Sequence, residues 1–148
     1  MLVVAGSLTI APPVRSDAAS RVFGSPSLGY TLRTPPGWQA SIRVPDGAAV
    51  VTSLAVPNRN DNPERIRLPR GSVYIWIADW GRVGGDGFPR RPTRIELGEK
   101  QVHSCGFGEG YMIRFRDHGQ LIQAFVRLGP STGKGAALAV LNSLRVTH

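Results

Sequence analysis

At 148 residues, 41% of them hydrophobic and 19% charged, the chain has the length and apolar content of one globular domain and not the makeup of a disordered segment. Its 18 Lys and Arg outnumber 10 Asp and Glu, a formal charge of +8 that bears on solubility and attraction to anions and leaves the fold open. The single cysteine, Cys105, excludes an internal disulfide and any Cys-based metal site within one chain.

The long apolar opening, Leu2 to Ala11, is too short to span a membrane. Pro12-Pro13 and the small residues Ser16-Asp17-Ala18-Ala19-Ser20 follow it, with Ser16 and Ala18 at the small positions that precede a secretory cleavage. No Lys or Arg stands before the apolar run, so residues 1–20 read as an incomplete signal peptide or a disordered leader. The expectation is an exported protein of the cell envelope or extracellular space, with residues 21–148 as one domain.

Beyond the leader, apolar alternation is cut at short intervals by turn residues. Gly29 to Thr34 reads as a strand ending at Pro35-Pro36-Gly37, and Trp38 to Val44 as a second ending at Pro45-Asp46-Gly47. Ala48 to Val56 is a third. Asn58 to Pro69 is polar and Pro-broken, a loop with room for one helical turn from Pro63. Ser72 to Trp80 is the strongest strand. One face carries Val73, Ile75, Ile77 and Asp79, the other Tyr74, Trp76, Ala78 and Trp80, and two largely apolar faces mark a strand covered on both sides. Gly81 to Pro92 is a loop, and Arg94 to Val102 is extended. Tyr111–Arg116 and Leu121–Leu128 flank Asp117-His118-Gly119-Gln120 as a β-hairpin. The one helix runs from Gly135 to Ser143, with Ser131 or Thr132 as cap and Ala137, Leu138, Leu141 and Leu144 as its buried stripe. Arg145 to Thr147 closes the domain. The fold class is α+β: a single twisted antiparallel sheet of about six or seven strands with the C-terminal helix on one face.

Candidate chemistry is sparse. His103 and Cys105 lie two apart, on one face of a strand, but a nucleophile also needs an orienting group and an oxyanion site. The plainer reading of Cys105 is a small buried thiol. Gly106-Phe-Gly-Glu-Gly110 has a phosphate-loop look, yet it opens a strand where phosphate binding requires a helix, so a tight connection or bulge fits better. His103, His118 and His148 form no metal-ligand pattern, no carboxylates pair for acid/base work, and no cofactor signature is read. Two surfaces remain as speculative ligand sites. The Tyr74, Trp76 and Trp80 stripe fits a sugar ring or apolar ligand, or else a second core layer. Sixteen of the 18 cations are arginine. Arg59, Arg65, Arg67, Arg70, Arg82, Arg90, Arg91 and Arg94, set against Asp61, Glu64, Asp79 and Asp86, lie in the loops around the central strand, where they can meet at one end of the sheet. GC-rich coding sequence and a solvated rim account for them more simply. Aromatics at RNA-binding spacing are missing, so sequence-specific nucleic acid is not indicated.

Several stretches carry a family resemblance. Gly29-Tyr-Thr-Leu-Arg-Thr-Pro-Pro-Gly-Trp38 resembles the strand, Pro and Gly-Trp opening of exported PsbP/Mog1-like domains. Ala137-Leu-Ala-Val-Leu-Asn-Ser-Leu-Arg-Val146 is similar to their terminal helix and closing strand. Leu68-Pro-Arg-Gly, Phe88-Pro-Arg-Arg-Pro, Phe115-Arg-Asp-His-Gly and Phe125-Val-Arg-Leu-Gly resemble small secreted proteins of high-GC bacteria. The resemblance implies an antiparallel sheet with helices packed on it and a binding or adaptor role; it assigns no functional residue here. The expected function is an exported, non-catalytic binding or assembly domain whose partner is an envelope protein, a glycan or another anionic molecule. The alternatives are a small hydrolase or transferase using Cys105 or a serine with a histidine, and a polyanion binder working through the loop arginines.

Overall fold

The computed structural model describes residues 19–44, 46–55, 63–82, 87–103 and 106–147. The 1–18 stretch of the leader, Arg59, Asp61, Asp86, Cys105 and His148 lie outside the described residues. The elements in chain order are β1 (Arg21–Gly24), β2 (Tyr30–Thr34), β3 (Gln39–Ile42), β4 (Ala49–Thr52), a 3-10 turn (Pro63–Arg65), β5 (Val73–Asp79), β6 (Gln101–His103), β7 (Gly108–Asp117), β8 (Gln120–Leu128), α1 (Gly135–Asn142) and β9 (Arg145–Val146).

The class is α+β with antiparallel pairing, and the strands divide into two sheets where one was expected. One holds β1-β2-β9, the other β3-β4-β5-β8-β7-β6. The division falls at Pro35-Pro36-Gly37. Proline donates nothing to a ladder, and Gly37 takes a left-handed φ of 77° as Trp38 N–H donates to Pro35 C=O. The chain therefore leaves β2 without folding β3 back upon it. β2 pairs with β1 (Phe23↔Leu32) and with the far C-terminus (Tyr30↔Val146). Strand β1, where the sequence reading placed no element, is the outer strand of that small sheet.

The expected hairpin is one of the two longest pairings of the large sheet, equal to that of β5 with β8. β7 and β8 run from Tyr111↔Val126 to Asp117↔Gln120, joined by His118 and Gly119, both at positive φ (47° and 80°). Two left-handed turn residues give the twist that matches antiparallel strands. Gly110, at the start of this pairing, lies so close to β8 that a Cβ would sit 2.5 Å from Val126 C=O and 2.7 Å from the Phe125 ring.

One face of the large sheet supplies Ala49, Val51, Val73, Ile75, Ile77, Phe115, Ile122, Ala124 and Val126 to the main core. Tyr30 and Leu32 of the small sheet and Leu28 of the turn before β2 cover it, with Ala137, Val140, Leu141 and Leu144 around α1. The Tyr30 hydroxyl donates to Ile77 C=O at 2.9 Å and pins the two sheets together. Burial pushes that phenol well above its usual range. The helix begins later than its expected cap: Lys134 is the N-cap and makes no side-chain cap bond. Ser131 turns left-handed (φ 54°), and the Thr132 hydroxyl bonds back to Pro130 C=O, so neither reaches the first-turn amides. Of the expected stripe, Leu138 is only partly buried and Val140 takes a core place.

The 94–102 stretch is strand only at Gln101–His103. Before that, Ile95 and Leu97 cross the main core, and the Asn142 side chain accepts from Ile95 N–H (2.8 Å) and donates to Ile95 C=O (3.2 Å), acting as a one-residue strand partner. Gly110→Ala should lower stability by about 1–3 kcal/mol through overpacking against β8. A lower denaturant midpoint with an unchanged m-value is the expected result.

Candidate binding surface at the open end of the large sheet

The second face of β5 is covered for half its length. Tyr74 (0% exposed) and Trp76 (3%) pack with Ala48, Val50, Ile66 and Phe125, under Leu68 and Phe107. The Trp76 and Phe107 rings meet edge-on at 4.9 Å, and Phe107 reaches Phe125 at 5.0 Å. Indole Nε1–H donates to Asp46 Oδ2 (3.1 Å), which also accepts from Arg43 Nη1 (2.9 Å), while Asp46 Oδ1 receives Ala48 N–H. Arg127 holds the cover from below, donating to Pro63 C=O and to Ile66 C=O. Burial, partly offset by Arg43, pushes the Tyr74 phenol up to about 12, and its hydroxyl has no hydrogen-bond partner among the described residues. Tyr74 and Trp76 are thus a second core layer, and the aromatic stripe is no continuous groove.

Past that cover Gln123 and Leu121 stay buried in the middle of the same face, and the residues flanking them are exposed. Trp80 is 59% exposed. Its backbone N–H donates to Leu121 C=O, whereas Leu121 N–H donates to Gly81 C=O, so Trp80 and Gly81 together face Leu121 in a bulge just beyond β5. Leu121 pairs with Arg116, and Arg116 bridges to Arg90, where Arg91 N–H and Arg116 N–H close bonds of 2.9 and 2.7 Å. Partners directly opposite in a sheet point to one side, which places Trp80, Leu121, Arg116 and Arg90 in one cross-strand row. The preceding row is Ala78, Gln123 and Arg114. Arg114 Nε donates to Gln123 Oε1 (3.1 Å), and its guanidinium lies 6.0 Å from the Phe88 ring centre. With strands about 4.8 Å apart, Trp80 and Arg116 stand about 10 Å from each other, and Arg114 and Arg116 about 7 Å along β7. The end of the sheet therefore presents one flat indole beside three arginines. Arg82, exposed, follows two residues after Trp80.

Two sequence expectations change. The arginines do not gather at one end of the sheet, because the loops before and after β5 leave a strand at opposite ends. Arg65, Arg67 and Arg70 stand with the segment that enters β5, Arg82 and Arg90 with the one that leaves it, and Arg94 is exposed beside α1. Arg91 belongs to the fold. Its guanidinium lies 5.4 Å from the Phe115 ring centre in the main core, pairs with Asp117 (2.8 Å) and donates to Leu144 C=O (2.8 Å) and Asn142 C=O (3.4 Å) at the end of α1. Arg114 and Arg116 went unread in the sequence. Their signal was an i, i+2 pair on the face of the Tyr111–Asp117 strand opposite Ile113 and Phe115.

The remaining candidates are placed as follows. His103 sets its ring edge on Phe125 (5.5 Å), with Nε2 buried and unpartnered among the described residues. Its companion Cys105 is outside them. Gly108 and Gly110 lie inside β7, and no helix starts from the glycine motif. His118 Nδ1 meets Asp117 Oδ1 at 2.8 Å in the hairpin turn. Among the described residues no helix is long and apolar enough to cross a membrane. Comparison with protein-family models, curated proteins and solved structures finds no match to this chain.

Two predictions separate the structural from the exposed residues. Trp76→Ala should cost about 3–5 kcal/mol, whereas Trp80→Ala should stay within about 0.5 kcal/mol of wild type, as read from chemical denaturation. Asp117 is opposed by burial, but Arg91 and His118 outweigh it and hold the carboxyl below its ordinary value of 3.8. A lowered folded-state pKa gives stability that is present above the unfolded value and lost as pH falls through the folded one. Arg91→Ala should therefore cost about 3 kcal/mol at pH 7, and the gap between wild type and Asp117→Asn should shrink as denaturation is repeated at pH values falling below the ordinary carboxyl range.

Proposed function

We propose that the protein is a non-catalytic binding domain, exported from the cell, that holds an anionic macromolecule across the open end of its large sheet. One observation carries this reading: an exposed Trp80 shares a sheet face with Arg90, Arg114 and Arg116, set at strand and pleat spacings. Guanidinium groups fork onto carboxylate, sulfate or phosphate oxygens, and a flat indole offers a stacking face to a ring between the charges. Strand β7 holds Arg114 and Arg116, and backbone bonds tie Trp80 to β8 and the residues on either side of Arg90 to β7, so the backbone carrying these groups is ordered before binding. The leader-like opening and the resemblance to PsbP/Mog1-like exported domains favour an envelope setting, where acidic glycan is the fitting partner.

Heparin serves as a probe of this chemistry. Its affinity should fall steeply as salt rises from about 50 to 200 mM, because each arginine that meets an anion releases a counterion. Arg114→Gln combined with Arg116→Gln should weaken binding at least tenfold, about 1.4 kcal/mol, with an unchanged denaturation midpoint. Trp80→Ala should weaken an acidic oligosaccharide more than it weakens a ring-free polyanion such as polyphosphate. Salt-independent binding, or a double variant that binds as wild type does, would overturn the proposal.

A further inference from the structure

A shallow, open depression of about 600 Å³ lies where β8 turns toward α1, lined by Lys100, Tyr111, Leu128 and the turn 129–133. Tyr111 and Leu128 border the main core, on the opposite face of the sheet from Trp80. The volume falls in the range of small-molecule sites. Its charge is unusual for this chain: against sixteen arginines there are only two lysines, Lys100 and Lys134, and both meet at Tyr111. Lys100 lines the depression beside the ring, and Lys134 Nζ stands 5.0 Å from the ring centre. Each ammonium carries three donors and is a compact point charge without a fixed fork. Lys134 spends one donor on a long contact to Leu97 C=O, at 3.5 Å. Lys100 pairs with Glu109 at 2.8 Å, with both side chains more than half exposed. Such a solvent-facing pair is worth little and is open to exchange. The Tyr111 ring, Leu128 and Pro130 supply an apolar wall next to these cations.

We infer that this depression is a second binding site, for a small ring-bearing molecule with one anionic group, the ring lying against Tyr111 and Pro130 and the anion taking Lys100 from Glu109 within reach of Lys134. The carboxylate of Glu109 occupies Lys100 when no ligand is bound, so ligand and Glu109 compete. This site is independent of the arginine row and stands whether or not that row binds a polymer.

Phenyl phosphate is a suitable probe, titrated into the full chain and followed by amide NMR shifts. Saturable shifts confined to residues 129–133, Tyr111 and Lys100 are expected, with a Kd of about 1 mM for a ligand of this size. Lys100→Gln with Lys134→Gln should raise Kd at least tenfold, while Lys100→Arg with Lys134→Arg should stay within about threefold; the second pair guards against loss of packing on the Tyr111 ring. Glu109→Gln should tighten binding about two- to fivefold. Arg114→Gln with Arg116→Gln should not alter it. The inference fails if the shifts do not saturate, if they fall on the arginine row, if the Lys-to-Gln pair binds as wild type, or if inorganic phosphate binds as tightly as phenyl phosphate.

Discussion

Burial of β5 on both faces is the constraint from which the rest of the architecture follows. A seven-residue strand with Val73, Ile75 and Ile77 on one side and Tyr74 and Trp76 on the other leaves only its last two residues, Ala78 and Asp79, partly open to water. Burying such side chains contributes roughly 1.5–3 kcal/mol each, so both covers have to be built. On the first face the chain supplies α1 and the small sheet. On the second it has no helix to spare and uses irregular chain, residues 63–68 with Phe107. Irregular backbone carries unpaired carbonyls, and the Arg127 guanidinium beneath them answers that need at Pro63 and Ile66. Desolvation there lowers the pKa of Arg127, yet a guanidinium stays charged at any physiological pH.

The same economy explains how the arginines divide. Arg43, Arg91 and Arg127 are drawn into the structure, each placing a planar fork where carbonyls or a carboxylate would otherwise be unanswered. Arg91 does the most: it joins Asp117 at the hairpin tip to the last carbonyls of α1, where a cation also complements the helix dipole. What remains outside is a surface set. Beyond Trp76 that face continues with Ala78, Gln123 and Leu121, the last two buried, while the Trp80 indole and the Arg90, Arg114 and Arg116 side chains flanking them are exposed.

Gly110 and Asn142 show how local identity serves distant packing. Gly110 has no room for a Cβ against Phe125 and Val126, which settles the glycine motif as a close strand approach. Asn142 pairs with Ile95 across 47 residues and draws the 91–100 stretch over the main core. Neither role is visible from neighbours in the chain.

Period-two alternation pointed to the antiparallel sheet and the Tyr111–Leu128 hairpin, apolar residues on both faces to a doubly covered strand as far as Trp76, and a helical apolar stripe to the C-terminal helix, because these depend on residues close together in the chain. Composition likewise told of the arginine excess. Tertiary structure alone decided that the strands form two sheets, that the Ser131 and Thr132 hydroxyls leave the helix uncapped, that Tyr74 and Trp76 are covered while Trp80 is not, and that Arg91 turns inward while Arg114 and Arg116 join Arg90 in a row. The physical reason is that a side chain's face is set by its own strand, but what lies over that face is set by chain tens of residues away.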